Sequence, residues 1–183
     1  MLEITGGNKL IDPVMVLNKV GLKEKMKVAD LGCGAVGHYV FPASRLVGKE
    51  GKVYAVDIMK LVLENIEKRA HLENLENIAT VWSDLERYGA AKIESGTLDA
   101  AFLFNTLFQT KDRAAVLKEA ARLLKVGGKL AVVDWLSTGA PFGPPVEGRV
   151  DPFWVETEAD KLGLHLLTRF SPGQYHYGLI FEK

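Results

Sequence analysis

Short apolar runs alternate along the chain with longer stretches that have one apolar face. The runs typical of buried strands lie at residues 28–31, 52–57, 77–82, 97–104, 129–134, 164–170 and 175–181. The stretches with helical spacing of apolar positions lie at residues 13–20, 39–47, 61–72, 111–125 and 152–162. Strands that alternate with helices of this length are typical of α/β domains. The pattern therefore predicts a mostly parallel sheet with helices on both faces.

The run at 97–104, TLDAAFLF, is predicted to be a central strand. It carries almost no polar side chain after Asp99, so both of its faces should be covered. Its end delivers residues 105–109 into the crevice beyond the sheet, where ligands bind in such folds. The helix predicted at 111–125 is expected to stop because Gly127-Gly128 follows it.

The stretch at 27–39, KVADLGCGAVGHY, places glycines directly after the first apolar run. Gly32, Gly34 and Gly37 can take positive φ and have no Cβ to hold a ligand away from the backbone. Their spacing also fits a dinucleotide fingerprint, but Asp30 would then face a pyrophosphate, and two negative charges would meet in a partly dry crevice. S-adenosylmethionine, which carries a sulfonium and an ammonium beside one carboxylate, suits this acid better than NAD does.

Acidic residues recur near the ends of successive strand runs, because Asp30, Asp57 and Asp84 are evenly spaced along the chain. The carboxyl ends of parallel strands meet at one edge of a sheet, so these carboxylates are expected around one crevice. Asp57 has about the spacing of an acid that accepts both hydroxyl hydrogens of a ribose. The alternative is that Asp57 caps a helix beginning near Lys60, and that Asp84 caps one at 85–88.

Two segments resemble the class I S-adenosylmethionine-dependent methyltransferases, in the broad group of the ubiquinone and menaquinone biosynthesis methyltransferases. KVADLGCGAVGHY resembles the first motif of that family, a strand followed by Asp-x-Gly-x-Gly-x-Gly, and LLKVGGKLAVVDW resembles its late helix, Gly-Gly turn and fifth strand. Together the matches cover roughly residues 12–135. The chain departs from the motif at Val36, where the third glycine is expected. One extra loop residue, Ala35 or Val36, would let Gly37 take that role.

The resemblance implies a Rossmann-like sheet of seven strands with an antiparallel last strand, and S-adenosylmethionine as the cofactor. It implies that Asp84 receives the adenine amine while an adjacent backbone amide meets a ring nitrogen. The helix at 13–20 is expected to help close the cofactor pocket, or merely to pack on the sheet edge. The expected cofactor-binding residues are Asp30, Gly32, Cys33, Gly34, Gly37, Asp57, Ile58, Ser83, Asp84, Leu85 and Asn105.

Length and composition favour one domain over residues 1–183, with an N-terminal segment and helix at 1–21 and a Gly- and Pro-rich loop at 137–150 over the substrate side. Lys and Arg number 23, as do Asp and Glu, so no overall basic surface favours nucleic acid. Cys33 is the single cysteine and the four histidines are scattered, so no metal site is expected. The absence of a signal peptide or a membrane-spanning run favours a cytoplasmic location.

Methyl transfer from a sulfonium is an in-line displacement, in which the protein mainly positions the two reactants. A base is needed only if the acceptor must lose a proton, and the candidates by position are His176 and Asp134. Packing at the strand edge is the competing role for His176, and Asn105 is expected to orient substrate or cofactor. The acceptor pocket should be shallow, or completed by a bulky substrate or by a second copy of the chain in a homodimer.

The methyl acceptor is not specified by these residues, although a small molecule is favoured over protein or RNA. The rival from another class is a cofactor-binding but inactive regulatory or scaffold protein, for which Val36 and the lack of an obvious base are arguments. An NAD(P)-dependent oxidoreductase is disfavoured by Asp30.

Overall fold

The computed structural model describes residues 10–137 and 142–183. The strands in this part of the chain are β1 (Lys27–Leu31), β2 (Lys52–Asp57), β3 (Ile78–Trp82), β4 (Leu98–Phe104), β5 (Leu124–Trp135), β6 (His165–Gly173) and β7 (His176–Glu182). The α-helices are α1 (Pro13–Val20), α2 (Val40–Val47), α3 (Lys60–Leu72), α4 (Arg113–Leu123) and α5 (Pro152–Lys161). The first part of the predicted N-terminal segment, 1–9, and loop residues 138–141 lie outside the described residues.

The strands form one sheet in the order β3-β2-β1-β4-β5-β7-β6. The pairs from β3 to β5 are parallel, whereas β7 runs antiparallel to both β5 and β6. The predicted Rossmann-like sheet, seven-stranded and mostly parallel with an antiparallel last strand, is confirmed. The strand order reverses between β1 and β4, because β2 and β3 lie on one side and β5 on the other. Ligands in open α/β sheets bind beyond the carboxyl ends of the strands at such a reversal.

Helices cover both faces of the sheet. Apolar side chains of α1, α2 and α3 pack on one face, and those of α4 and α5 pack on the other. Strand β4 contributes Phe102 and Phe104 to the first layer and Leu98 and Leu103 to the second, all of them buried. The prediction that this strand is central and covered on both faces is therefore confirmed.

Two helices begin with the same Asp-Pro pair. The Asp12 side chain accepts a hydrogen bond from the amide of Val14 at 2.9 Å, and Asp151 accepts one from Phe153 at 2.9 Å. Proline at the first helical position loses nothing, because its missing amide would have had no partner inside the helix. These caps fix where α1 and α5 start, as the sequence predicts.

The end of α4 differs from the prediction. The helix was expected to continue to Lys125 and stop at the Gly-Gly pair, but it ends at Leu123 and the chain enters β5 at Leu124. The reason is that Leu124 is already extended and pairs with Leu98 of β4. The Lys183 side chain donates to the carbonyls of Ala121 and Leu124, at 2.6 and 2.9 Å, so helix-end carbonyls are satisfied without a glycine cap.

Within residues 10–137 and 142–183, the longest helices are too short and too polar to cross a lipid bilayer.

Candidate functional site

A cavity of about 830 Å³ opens at the carboxyl ends of β1, β2, β3 and β4. This volume is within the usual range for small-ligand sites. The lining residues come from the loops that follow these strands. They are Gly32, Cys33, Gly34, Ala35, Val36, Asp57, Ile58, Met59, Val62, Ser83, Asp84, Leu85, Glu86, Phe104, Asn105, Thr106, Phe108, Gln109 and Thr110. Every predicted cofactor-binding residue is in this set except Asp30 and Gly37.

The loop after β1 is anchored by its own backbone. The amides of Gly32 and Cys33 both donate to the carbonyl of Val56 in β2, at 2.8 and 3.0 Å. A Cβ on Gly32 would lie 2.8 Å from the side chain of Thr106, so this glycine allows β1 and the end of β4 to meet. Gly34, with a φ of +66°, has no heavy atom within 4 Å of the position of a Cβ. Gly34 is therefore the glycine that leaves room for a ligand.

The path of the loop beyond Gly34 explains the departure from the family motif. The amide of Gly37 donates to the carbonyl of Gly34 at 3.2 Å, which closes a turn around Ala35 and Val36. A Cβ on Gly37 would lie 2.5 Å from the side chain of Ile66 in α3. Gly37 is thus needed for packing on α3, and it is Val36 that faces the cavity.

Asp57 bridges two loops at the floor of the cavity. One carboxylate oxygen accepts a hydrogen bond from the amide of Gly34 at 3.1 Å, and the other accepts one from the amide of Met59 at 2.9 Å. A carboxylate has about four acceptor sites, so capacity remains for ligand hydroxyls. The alternative role of Asp57 as a cap for α3 has partial support, since Met59 is the residue immediately before that helix.

Asp30 lies behind the glycine loop and does not line the cavity. It is 2% exposed, and its Oδ2 atom has no hydrogen-bond partner among the described residues. Burial, and secondarily the charge of Asp57, raises the pKa of Asp30 to about 7. Burial also raises the pKa of the neighbouring Tyr39 hydroxyl and the Cys33 thiol, so both stay neutral. A cation bound above this loop would be attracted to an ionised Asp30.

The loop after β3 supplies a second polar group beside apolar surface. Ser83 is buried, lines the cavity, and has no partner for its hydroxyl among the described residues. An Asp84 oxygen accepts the amide of Glu86 at 3.1 Å, so this acid closes a turn; the structure has no helix at 85–88 for it to cap. Ile58 and Leu85 add apolar atoms to the same part of the wall.

Asn105 ends β4 with a left-handed backbone, at a φ of +55°. Its amide donates to the carbonyl of Val133 in β5, and its carbonyl accepts from the side chain of Gln109 at 2.7 Å. The Thr106 hydroxyl donates to the carbonyl of Leu31, which joins the ends of β1 and β4. A non-glycine residue in this backbone region is uncommon, and such residues concentrate at functional sites.

Neither of the two candidate bases lines the cavity. Asp134 is 0% exposed and His176 is 1% exposed. Burial raises the pKa of Asp134 to about 7, against hydrogen bonds from backbone amides that lower it. Burial, with a smaller contribution from the charge of Arg149, lowers the pKa of His176 to about 4. The His176 ring packs against Trp135, with centroids 4.3 Å apart.

A segment that we call the strap, residues 142–149, covers this second region. Phe142 makes edge contacts with the rings of Trp135 and Tyr175, with centroids 6.2 and 5.0 Å apart. Arg149 holds the strap by donating to the carbonyls of Leu136, Phe142 and Pro144, at 2.9, 3.2 and 3.1 Å. The described part of the predicted loop at 137–150 therefore packs on Trp135.

The wall includes residues that were not among the expected cofactor-binding residues. Thr106, Phe108 and Gln109 line the cavity, in agreement with the prediction that residues 105–109 enter the crevice. Met59 and Val62 also line it, at the start of α3, where an apolar residue is ordinarily taken as core. No group of three or more His, Cys, Asp or Glu side chains in the described ranges is arranged to hold a metal ion.

Comparison with known proteins identifies the family. The family described as "Methyltransferase domain" matches residues 22–142, more than half of the chain. The crystal structure of a SAM dependent methyltransferase from Aquifex aeolicus has a TM-score of 0.86 and 28% identity, and the match covers 98% of this chain and 94% of that one. The chain belongs to the methyltransferase domain family, and its resemblance to the class I S-adenosylmethionine-dependent methyltransferases is confirmed.

Curated relatives are longer than this chain. Demethylmenaquinone methyltransferase of Lactococcus lactis is 30% identical over 118 residues, which are 64% of this chain and 45% of that protein. Sterol 24-C-methyltransferase erg6 of Aspergillus fumigatus is 30% identical over 125 residues, which are 67% of this chain and 31% of that protein. The chain spans about a third to a half of the length of these relatives.

Proposed function

We propose that this chain transfers a methyl group from S-adenosylmethionine to a small-molecule acceptor. The observation that carries the proposal is the cavity at the reversal of strand order, where a ligand-accessible glycine, two carboxylates and an unpartnered buried hydroxyl converge. The donor's sulfonium supplies the methyl group and the intrinsic reactivity. The protein's part is to bind and orient the donor and to hold the acceptor in line with the methyl group.

The adenosine part of the donor is assigned to the loops after β2 and β3. Asp57 accepts the ribose hydroxyls with the capacity that its two backbone contacts leave, and Asp84 accepts the adenine amine. Ser83 gains a partner for its hydroxyl, which removes the cost of leaving that buried group unpaired. Ile58 and Leu85 pack on the faces of the ring.

The methionine part is assigned to the glycine loop and the end of β4. Gly34 lets the donor approach the backbone, with Cys33 beside it, and Asn105 orients the group that carries the methyl. Gly32 and Gly37 shape the loop. Asp30 acts from behind the loop, because an anion under a bound sulfonium and ammonium stabilises both charges.

The acceptor class rests on the relatives and on the chain's charge. The relatives named above act, by their names, on a menaquinone precursor and a sterol, both small molecules. The chain's formal net charge of zero gives no argument for a nucleic-acid acceptor. Completion of the acceptor pocket by a second copy of the chain, a cytoplasmic location and one domain over 1–183 stay predictions.

A second candidate function is that of a protein that binds the cofactor without turnover. The observation that favours it is the burial of His176 and Asp134 away from the cavity lining. This observation does not exclude catalysis, because a methyl acceptor that is already nucleophilic needs no base. Whether either residue acts as a base stays a prediction.

The test has two arms. Calorimetry with S-adenosylmethionine, S-adenosylhomocysteine and NAD is expected to give binding of the first two and none of NAD. Cell extract is then incubated with the protein and methyl-labelled S-adenosylmethionine, and new methylated compounds are sought by mass spectrometry. Binding with no labelled product would favour the binding protein, and binding of NAD alone would overturn the proposal.

A further inference from the structure

We propose that Asp134 is a positioning residue for the acceptor-side wall of the cavity, and that Arg113 ties this wall to the strap. The role of Asp134 in catalysis rests on the proposed function, but the contacts of Asp134 do not. The wall in question is the 3-10 turn Leu107–Gln109, which follows β4. Phe108 and Gln109 of this turn line the cavity.

The Asp134 carboxylate is surrounded by hydrogen-bond donors. One oxygen accepts the amide of Trp135 at 2.8 Å, and the other accepts the amide of Phe108 at 3.2 Å. Backbone amides favour an ionised carboxylate, since a protonated one gives up acceptor capacity. These contacts tie the side chain to the backbone of β5 and of the wall, which is the arrangement expected of an anchor.

The anchored turn controls the shape of the cavity beside Asn105. The side chain of Gln109 donates to the Asn105 carbonyl at 2.7 Å, so displacement of the turn would move both residues. Thr110, at the end of the turn, also lines the cavity. Release of the Phe108 amide from Asp134 is therefore expected to loosen one whole side of the site.

Arg113 connects the wall with the strap. Its Nε donates to the carbonyl of Leu107 at 3.2 Å, and its Nη2 donates to the carbonyl of Gly148 at 2.8 Å. Gly148 belongs to the strap, and the charge of Arg113 lowers the pKa of Asp134. One guanidinium thus joins the cavity wall to the strap, and its charge acts on the buried acid.

The titratable groups that face Asp134 come from two elements. Arg113 lies on α4, and Tyr177 on β7 stands opposite Asp134 in the sheet. Burial first, then the charges of Asp134 and Asp151, raises the pKa of the Tyr177 hydroxyl, so it stays neutral while Asp134 titrates. With the pKa of Asp134 at about 7, the hydrogen bonds to the wall strengthen as pH rises through neutrality.

The first test is the Phe108 amide proton, followed by NMR in the full chain between pH 5.5 and 8.5. In the wild type its chemical shift is expected to titrate near pH 7, and in Asp134→Asn the titration should vanish. An Asp30→Asn background removes the other buried acid with a pKa near 7 and should keep the titration. A Phe108 shift that does not titrate in the wild type, or that still titrates in Asp134→Asn, would overturn the proposal.

The second test uses a variant that does not alter a buried acid. Arg113→Met should speed exchange of the Phe108 and Gln109 amides by about 10- to 100-fold, the equivalent of losing hydrogen bonds to a charged group. Arg113→Lys keeps the positive charge but lacks a guanidinium that can donate to both carbonyls. It should therefore restore part of the protection against amide exchange. The control is Asp99→Asn, because Asp99 accepts the amide of Lys27 at 2.7 Å at the opposite end of the sheet. Equal loss of Phe108 protection in this control would show a general effect and refute the positioning role.

The functional arm separates this inference from the proposed function. With an acceptor from the extract screen, Arg113→Met should raise KM for the acceptor more than it lowers kcat. If the amide titration is present and no methyl transfer occurs, the wall assignment stands and the proposed function fails. If transfer occurs and Arg113→Met changes neither KM nor amide exchange, the wall assignment fails alone.

Discussion

The two halves of the sheet edge hold their polar groups in different ways. Beyond β1 to β4, Asp57, Ser83 and Asp84 stand around an open cavity and face the space where a ligand fits. Beyond β5 and β7, Trp135 and His176 are buried under the strap, and their ring nitrogens have no partners among the described residues. The first half, which we call the open half, surrounds a cavity, whereas the second, which we call the closed half, is covered by the strap.

This difference has a physical cause in each half. The open half is built from short loops that parallel strands bring to one edge, and backbone amides fix these loops by donating, for example, to the Val56 carbonyl and the Asp57 carboxylate. The closed half depends on a longer segment held by Arg149 and Arg113 through carbonyl contacts. A few side-chain hydrogen bonds are easier to exchange than strand pairing, so the closed half is the one we expect to adapt to a ligand.

The largest expected effect comes from blocking the open half. Gly34→Val places a branched side chain where the Cβ position has no neighbour within 4 Å, so the fold has room for it but the ligand does not. We expect no measurable binding of S-adenosylmethionine by calorimetry. The positive φ of +66° also imposes backbone strain, so thermal unfolding must show that the variant is folded.

A matched variant separates strain from blocking. Gly96→Val meets the same conditions, with a φ of +71° and nothing within 4 Å, but Gly96 does not line the cavity. It should lose a similar amount of stability and keep full affinity. If Gly34→Val retained the affinity of Gly96→Val, the donor would not lie against the glycine loop.

The next effect in size concerns Asp57. Asp57→Asn keeps one carbonyl oxygen for a backbone amide but removes the charge that accepts the ribose hydroxyls. We expect binding weaker by about 1.5–3 kcal/mol, the range for losing a hydrogen bond to a charged group. The control is Asp99→Asn, which removes the charge of an acid at the opposite end of the sheet, where Asp99 accepts the amide of Lys27. A dissociation constant that matches the wild type would remove Asp57 from the donor site.

Much of the open half could be predicted from sequence because its chemistry is local. Asp57 and Asp84 each follow a recognisable strand, and parallel strands must end at a common edge, so spacing alone places their carboxylates together. The roles of the glycines could not be separated in this way. The packing of Gly37 on Ile66 depends on α3, which is distant in sequence.

The closed half could be predicted only in outline. His176 was placed correctly at the carboxyl edge by the antiparallel β7, which pairs it with Trp135. Packing is one of the two roles that the sequence leaves open for His176, but its packing partners could not be identified, because the strap carries no periodic pattern. The contacts of Asp134 with the Phe108 amide were equally hidden, since they join a strand to a turn that precedes it by a whole helix.

A smaller effect is expected on the pH dependence of donor binding, through the buried carboxyl of Asp30. Asp30 has its pKa raised to about 7 by burial, and a bound cation would lower it, so donor binding should release a proton near neutrality. The affinity for S-adenosylmethionine is therefore expected to rise about tenfold from pH 6 to pH 8. S-adenosylhomocysteine lacks the sulfonium charge and should show a smaller rise.

The measurement is calorimetry over this pH range, in buffers of different ionisation enthalpy that reveal the proton release. Asp30→Asn should flatten the pH dependence and abolish the released proton. A steep dependence that survives in this variant would mean that another group senses the donor's charge.

The smallest effect on rate is expected in the closed half. A general base works best with a pKa near the operating pH, and burial holds the pKa of His176 at about 4, so it is a weak base there. His176→Asn should cost about 1–3 kcal/mol of unfolding free energy, because the ring packs on Trp135. The rate per folded molecule, measured with labelled donor and an acceptor from the extract screen, should stay within a few-fold of wild type.

The pH dependence of stability distinguishes the two roles of His176 further. Its pKa is lower in the folded protein than its ordinary value of 6.5, so its contribution to stability is present above pH 6.5 and is lost as pH falls toward 4. As pH falls over this interval, the unfolding temperature of His176→Asn should therefore decrease less steeply than that of the wild type. If His176 is a general base, His176→Asn should instead lower the rate by roughly 10²- to 10⁴-fold at unchanged donor affinity. That result would mean that the strap opens during turnover and that the closed half contains the catalyst.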